Sequence, residues 1–499
     1  MADRTPLPLR PDARATEAEV VAFLSALAGQ PPIETHISRV FPGPDRVWKV
    51  KKPVRLSFLD FSALADRERF CRRELALNAP HAPGLYRGVV PVVRRPDGAL
   101  ALGAEGEVVE WAVEMARIPD ADFLDRVAER GGLTPALVEE IGEAVAQMHG
   151  RLAAIPGFDA AAAMARVIDG NAQAAREAGI EESEVALWQG RAEAWQRRLA
   201  SWFAERARAG YVRRAHGDLH LANLCLWQGR VVPFDALEFD EELATIDLGY
   251  DLAFLLMDLE RRAGRAAANR VLNRYCARTG DTALTRGLPL WLSSRAMVRA
   301  HVAARMGRAE DARDYLARAQ AYLVPPPPVL VAIGGVPGTG KSTLARALAP
   351  ELGPAPGALV LRSDELRKRL YGKAPEERLP AEAYTAEVSR AVYAKLVRLA
   401  AETIAAGHAA VADAVFLFAE ERSAIEAARG PAPFLGLWLE APVPVLEARI
   451  AARTRDASDA DIAVLRAALG RDPGPIAWQR LDAAAPDLAA RARTLLPNP

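Results

Sequence analysis

The stretch VLVAIGGVPGTGKSTLARALA, Val329–Ala349, constrains the fold of this chain more than any other. An apolar run from Val329 to Ile333 reads as a strand. A glycine turn follows, and then an amphipathic helical pattern from Ser342, so the segment opens a doubly wound α/β unit. Gly335, Gly338 and Gly340 let the backbone curl until successive N–H groups point at phosphate oxygens. Lys341 reaches the β- and γ-phosphates, Ser342 can ligate Mg²⁺, and Thr339 and Thr343 belong to the same phosphate-binding stretch. The match to G-x-x-x-x-G-K-[ST] is complete.

The segments after this loop separate a kinase from a motor-type ATPase. In ALVLRSDELRKRLYG a second apolar strand ends at Asp364. In a parallel sheet the carboxyl ends of strands face the ligand crevice, so Asp364 either accepts or orients a substrate hydroxyl proton or caps the helix beginning at Glu365; both roles can coexist. HAAVADAVF supplies a third strand ending at Asp413, a carboxylate able to hold Mg²⁺ through water or to cap a helix. Arg449, Arg453 and Arg455 then recur at near-helical spacing. They read as arginines of a lid over the transferring phosphoryl group, or as a solvated helix face. Together these segments resemble the small P-loop kinases, a group that includes gluconate kinases, chloramphenicol phosphotransferases, zeta toxins and polynucleotide 5′-kinases. The resemblance makes Asp364 the base candidate and Arg449 and Arg453 the lid candidates; it does not name the acceptor.

A second phosphate apparatus precedes the first. HGDLHLAN places Asn223 five residues after Asp218, the spacing of a proton-accepting Asp and a metal-binding Asn in H-R-D-x-x-x-x-N. His216 supports the loop by hydrogen bonding and Gly217 allows its tight backbone. In GRVVPFDALEFD, Gly229 turns a hairpin whose strand, Val231–Phe234, delivers Asp235 as a metal ligand, with Glu238 and Asp240 as weaker alternates. These residues resemble the aminoglycoside phosphotransferase and choline kinase branch of the protein-kinase-like fold, over most of residues 34–320. In that light ATIDLGYDLAFLLMDLE is a helix start with Asp251 as its N-cap. Strand alternation in DRVWKVKKPV sets Lys49 and Lys51 on one face and Trp48 and Val50 on the other, so one of the two lysines, Lys49 first, contacts ATP phosphate, and Glu74 holds it in place. The resemblance further implies a hinge at Glu114–Ala116 reading adenine. The family's G-x-G-x-x-G loop is missing between Ile33 and Lys49, so either the phosphate cover is short or nucleotide binding in this half is weak.

At 499 residues the chain exceeds one hydrophobic core. The four prolines 325–328 mark a stiff junction. The expected architecture is multidomain α/β: an N-terminal bilobal protein-kinase-like α+β domain, 1–324, with a small lobe about 34–118 and a large lobe about 119–324, then the proline linker and a P-loop domain, 329–499, whose parallel sheet is flanked by helices. Lysine plus arginine and aspartate plus glutamate both number 64, so no overall field steers the chain to nucleic acid or anionic membrane. Cys71, Cys225 and Cys276 show neither C-x-x-C spacing nor a disulfide framework, and no apolar run is long enough to span a bilayer, which together suggest the cytoplasm. The expected activity is ATP- and Mg²⁺-dependent transfer of the γ-phosphoryl group to a hydroxyl of a sugar, aminoglycoside or aminocyclitol-like molecule, with GTP not excluded and the oligomeric state undetermined. Two other readings stand beside it: an N-terminal pseudokinase that binds a metabolite and regulates the P-loop kinase, or a zeta-toxin-like nucleotide-sugar or polynucleotide kinase.

Overall fold

The alternating residues of DRVWKVKK form the strand Arg46–Lys51 inside a six-stranded antiparallel sheet. A computed structural model describes residues 11–56, 59–103, 105–452 and 457–497. The sheet order is Ile33–Glu34, Ser38–Pro42, Arg46–Lys51, Glu107–Ala116, Tyr86–Arg94, Leu100–Leu102. As the alternation implies, Trp48 and Val50 pack with Val20 and Leu24 of the helix Pro11–Ala28 on one face, while Lys49 and Lys51 both reach Glu74 in the helix Leu64–Asn78 on the other. Glycine is also missing from the turn between the first two strands. Thr35 closes it instead, its hydroxyl accepting the Ser38 N–H at 2.9 Å.

The chain divides into two compact units. One comprises residues 1–132, 151–158 and 206–251, and so holds this sheet together with the HGD loop and its hairpin. The other comprises 133–150, 159–205 and 252–499, and so joins the long helices of the first half to the P-loop segment.

In the second unit five strands form a fully parallel sheet in the order Leu359–Arg362, Ala410–Asp413, Leu330–Gly334, Phe434–Glu440, Gln479–Asp482. Helices cover both faces, and the central strands are therefore buried along their whole length and apolar up to Asp413, not alternating. Register brings Arg362, Asp413 and Ile333 level at the carboxyl ends, where the glycine loop begins. The second strand ends at Arg362, two residues before the expected Asp364. Asp364 lies instead in the first turn of the helix Ser363–Leu370, so the expected N-cap role is not what it performs. Arg362 explains the early turn: its guanidinium reaches Asp413 at 3.3 Å and Glu365 at 3.0 Å, pinning the strand end to the helix start.

The strand Leu359–Arg362 is a sheet edge, and the helix Arg265–Thr279 covers it with side-chain amides. Asn273 accepts the Val360 N–H at 2.7 Å through its Oδ1, and Asn269 and Asn273 both donate to the Ala358 carbonyl. The same helix holds the chain beyond Asp364. Arg274 and Arg278 pair with Glu376 at 2.7 and 3.1 Å, and Arg369 donates to the carbonyl of Cys276. Asn273→Ala leaves the Val360 N–H without its acceptor and is expected to destabilise this unit by about 1–3 kcal/mol, read as a lower Tm. An unchanged Tm would mean that water replaces the amide.

Candidate active sites

The HGD loop of the first unit is held from outside its own sequence. Asp251, fully buried in the helix Leu248–Ala263, accepts the backbone N–H of His216 at 3.0 Å and of Gly217 at 2.9 Å. Its carboxylate thus grips the loop from a distance instead of capping its own helix, which corrects the expectation for that residue. Gly217, at φ 84°, takes the turn that this grip requires. The His216 ring donates from Nε2 to the Phe234 carbonyl at 2.8 Å, and its Nδ1 accepts the Asp218 N–H at 3.4 Å. Burial lowers its pKa, which keeps the ring neutral as these bonds need. The Leu237 N–H returns to the His216 carbonyl at 2.9 Å and the Phe234 N–H to that of Asn223 at 3.0 Å, so the loop and the segment carrying Asp235 are tied into one body.

Within this body Asn223 donates to the Asp218 carboxylate at 3.0 Å and to its carbonyl at 2.9 Å. With its nitrogen so used, the amide oxygen is the atom suited to a metal. The Asp218 side chain is 44 % exposed, with His220 Nε2 at 3.4 Å from its Oδ2. Asp235 has φ 60°, a left-handed conformation that Asp tolerates better than most residues, stabilised as its N–H donates to the Tyr86 hydroxyl at 3.1 Å. The Lys49 ammonium lies between Asp235 at 2.5 Å and Glu74 at 2.9 Å. Burial opposes its charge, yet the carboxylates of Asp235 and Glu74 outweigh that and hold its pKa well above the ordinary value. Lys51 bridges Glu74, at 2.5 Å, and Glu238. Lys51 and Glu238 thus form a second, wholly buried pair beneath the first. Glu114 pairs with Arg46 at 2.9 Å at the end of the strand Glu107–Ala116.

In the second unit the loop Gly335–Gly340 leads from strand to helix, with φ 139° at Gly335, 87° at Gly338 and 85° at Gly340. A Cβ at Gly338 would stand 2.8 Å from the Leu446 carbonyl oxygen, and one at Gly335 2.6 Å from that of Leu439. Both obstacles are backbone. Gly338→Ala is therefore expected to strain the loop by about 1–3 kcal/mol, weakening nucleotide binding at this site roughly 10- to 100-fold in a titration with MgADP. Unaltered affinity would show that the loop conformation does not govern binding. The Ser342 hydroxyl donates to Asp413 at 2.6 Å, and Lys341 donates to the Val336 carbonyl at 3.2 Å. Thr339, wholly buried, donates to the same carbonyl at 2.8 Å, and Thr343 is exposed beside the loop.

Gly338, Thr339, Gly340, Lys341, Ser342 and Thr343 line a cleft of about 920 Å³ together with Asp364, Asp413 and Arg449. Burial raises the Asp364 pKa against the pull of Arg362, making it a stronger proton acceptor than an ordinary aspartate. Arg449, from the helix Val443–Ala451, donates to the Ala483 carbonyl at 2.9 Å. Arg453 and Arg455 lie outside the described residues. Asp459, on the cleft wall, accepts from Lys368 at 2.8 Å, from the Tyr384 hydroxyl at 2.5 Å and from the Leu379 N–H at 3.1 Å, a hub that the motifs do not announce. Each site offers few, hard oxygen donors: Asn223 and Asp235 in one, Ser342 and Asp413 in the other. Such sparse sets suit Mg²⁺, which keeps several waters and completes its shell with phosphate oxygens. The described residues contain no group of three or more His, Cys, Asp or Glu able to hold a metal unaided.

Comparison with known proteins places the two regions in two phosphate-handling families. Residues 46–290 match the family described as "Phosphotransferase enzyme family", and residues 330–472 match one described as "AAA domain". The chain is a kinase-type phosphotransferase, an aminoglycoside-phosphotransferase-like region followed by a P-loop kinase region. It is 30% identical over 471 residues to uncharacterized proteins of Mycobacterium tuberculosis and Mycobacterium bovis, covering 91% of this chain and 92% of each relative, and it belongs to their family. Among solved structures, a gluconokinase from Sinorhizobium meliloti matches 34% of this chain and 93% of its own at 23% identity and TM-score 0.25. The GDP complex of an aminoglycoside 2′-phosphotransferase matches 63% of this chain and 99% of its own at 13% identity and TM-score 0.36.

Proposed function

We propose that this protein transfers the γ-phosphoryl group of ATP to hydroxyls of small molecules at two Mg²⁺-dependent sites, with a sugar, aminoglycoside or aminocyclitol-like polyol as the acceptor class. The domain reading that goes with this is 1–324 for the kinase-like half, 325–328 for the linker and 329–499 for the P-loop half. The observation that carries it is the convergence of Asp218, Asn223, Asp235 and Lys49 in one hydrogen-bonded body, from segments as far apart as 186 residues. Asp218 accepts the proton of the acceptor hydroxyl, Lys49 holds ATP phosphate and is itself held by Glu74, and Asn223 with Asp235 holds the metal. In the P-loop half Lys341 and the loop N–H groups, with Thr339 and Thr343 in the same stretch, bind phosphate. There Ser342 and Asp413 hold the metal, Asp364 accepts the proton, and Arg449 and Arg453 steady the transferring group. Bound Mg²⁺ supplies charge neutralisation between the β- and γ-phosphates.

No helix among the described residues is long and apolar enough to cross a membrane. The balanced charge disfavours a polynucleotide acceptor, which would need a basic groove, and the setting we propose is cytoplasmic.

A second reading takes its support from the glycine-free turn at Thr35–Ile37: the first half senses a metabolite and regulates the P-loop half. A γ-phosphoryl transfer screen over sugars, aminoglycosides and nucleotides separates the two, using wild type, Asp218→Asn and Lys341→Ala. Each variant is expected to lose a different set of products. If Asp218→Asn loses none, the regulatory reading stands in place of the first catalytic site, and transfer to no acceptor at all would sink the enzyme reading.

A further inference from the structure

The phosphate and metal roles of the first unit leave one buried ion pair without a task. Strand alternation sets Lys51 on the face of Lys49, where its side chain is wholly buried, and Glu238, three residues after Asp235, is buried with it. The Lys51 ammonium donates to Glu74 at 2.5 Å and to Glu238, and it lies 5.9 Å from the centre of the Phe61 ring. Burial opposes its charge, and Glu238 and Glu74 overcome that, holding its pKa above the ordinary value. Stability alone does not account for such a pair, because the cost of desolvating two charges cancels most of their attraction and apolar side chains of similar volume often do as well.

What the pair does is join three segments: the strand Arg46–Lys51, the helix Leu64–Asn78 and the residues that follow Asp235. Those residues have other ties. Lys49 bonds Asp235 itself at 2.5 Å, Asn78 accepts the Ala236 N–H at 2.9 Å, and the Leu237 N–H reaches the His216 carbonyl at 2.9 Å. The tie from Lys49 is lost once a divalent cation occupies the Asp235 carboxylate, because the ammonium bonded there carries the same sign of charge. The left-handed backbone of Asp235, φ 60°, then persists only where its remaining neighbours hold it.

We infer that Lys51 and Glu238 are positioning residues for Asp235: the pair fixes the metal-binding aspartate against the Lys49 strand and the Glu74 helix when Lys49 no longer bonds it. The inference rests on the phosphotransfer reading of the first half and adds to it two residues that touch neither phosphate nor metal. Glu74 serves the two lysines with separate oxygens, Oε1 for Lys49 and Oε2 for Lys51. Removing Lys51 and Glu238 together therefore leaves Lys49 paired with Glu74. Phosphate keeps its lysine, while the metal loses the alignment of its carboxylate.

The test measures ADP affinity with and without Mg²⁺ in the full chain, by calorimetry in a Lys341→Ala background that silences the P-loop site. Mg²⁺ is expected to tighten ADP binding in that background. In Lys51→Met/Glu238→Met two unbranched apolar side chains fill the same space, so Tm and the affinity for ADP alone are expected to hold. The Mg²⁺ tightening is expected to fall about 10-fold or to vanish, the usual effect of removing a partner that orients a metal ligand. Glu238→Gln keeps a hydrogen bond to Lys51 and loses the charge; it is expected to lose part of the tightening, and it decides the matter if the double variant does not fold. Tightening equal to that of the background protein, or an equal fall in affinity with and without Mg²⁺, makes the pair a structural one and overturns the positioning role while the phosphotransfer reading stands. A background protein that binds ADP but gains nothing from Mg²⁺ overturns the metal site as well, and one that binds no nucleotide overturns the reading of the first half with it.

Discussion

Asp218→Asn is expected to lower kcat at the kinase-like site by about 10²- to 10⁴-fold, the range that a positioned general base contributes. The substitution keeps the shape of the side chain and removes its basicity. Asn223 still has the backbone carbonyl of residue 218 to bond, and the Asp251 grip on the loop is untouched, so the loop has no reason to move. At 44 % exposure the side chain carries little of the fold. KM for ATP should therefore stay within a few-fold, because phosphate is held elsewhere. Measuring the variant in a Lys341→Ala background isolates this site from the other. A kcat unchanged there would remove Asp218 from the proton-accepting role.

Glu74→Ala is expected to be the most destabilising single change in the first unit, at about 3–5 kcal/mol, because it leaves Lys49 and Lys51 buried with less countercharge. Glu74 is fully buried, and both ammonium groups lie within 2.9 Å of it. Burial alone would raise its pKa, but Lys49 and Lys51 overcome that and hold it near about 2. A carboxyl group whose folded pKa is depressed contributes stability above its unfolded pKa of about 4.5, and that contribution is lost as pH falls toward about 2. The wild type should thus lose stability across that acid window, and Glu74→Gln should flatten the loss, seen as Tm against pH. Equal slopes for the two proteins would show that the lysines do not govern this carboxylate.

What the sequence discloses of this architecture is its local part. The phosphate loop, and the pairing of Asp218 with Asn223, depend on residues a few positions apart, where backbone geometry alone dictates which atoms meet. The parallel sheet is legible for the same reason: strands buried on both faces must be continuous apolar runs, as at Leu330–Gly334 and Ala410–Asp413. Contacts that join distant segments leave no periodic trace. Asp251 sits at a helix start, where a capping role is the economical expectation, and only the fold reveals that its carboxylate meets a loop 34 residues away. Asn269 and Asn273 look like ordinary polar residues of a helix until a sheet edge lies against them. The helix start at Ser363 was displaced from expectation by Arg362, whose two carboxylate partners lie on different elements. Asp459 acquires its role through Lys368, 91 residues earlier.

The claim that one chain owns two nucleotide sites is tested most directly by the stoichiometry of MgADP binding to the full-length protein, by calorimetry or equilibrium dialysis. Two nucleotides per chain are expected for the wild type, falling to one in Lys341→Ala. A single nucleotide in the wild type that disappears in Lys341→Ala would contradict it, leaving the P-loop as the sole site of phosphoryl chemistry.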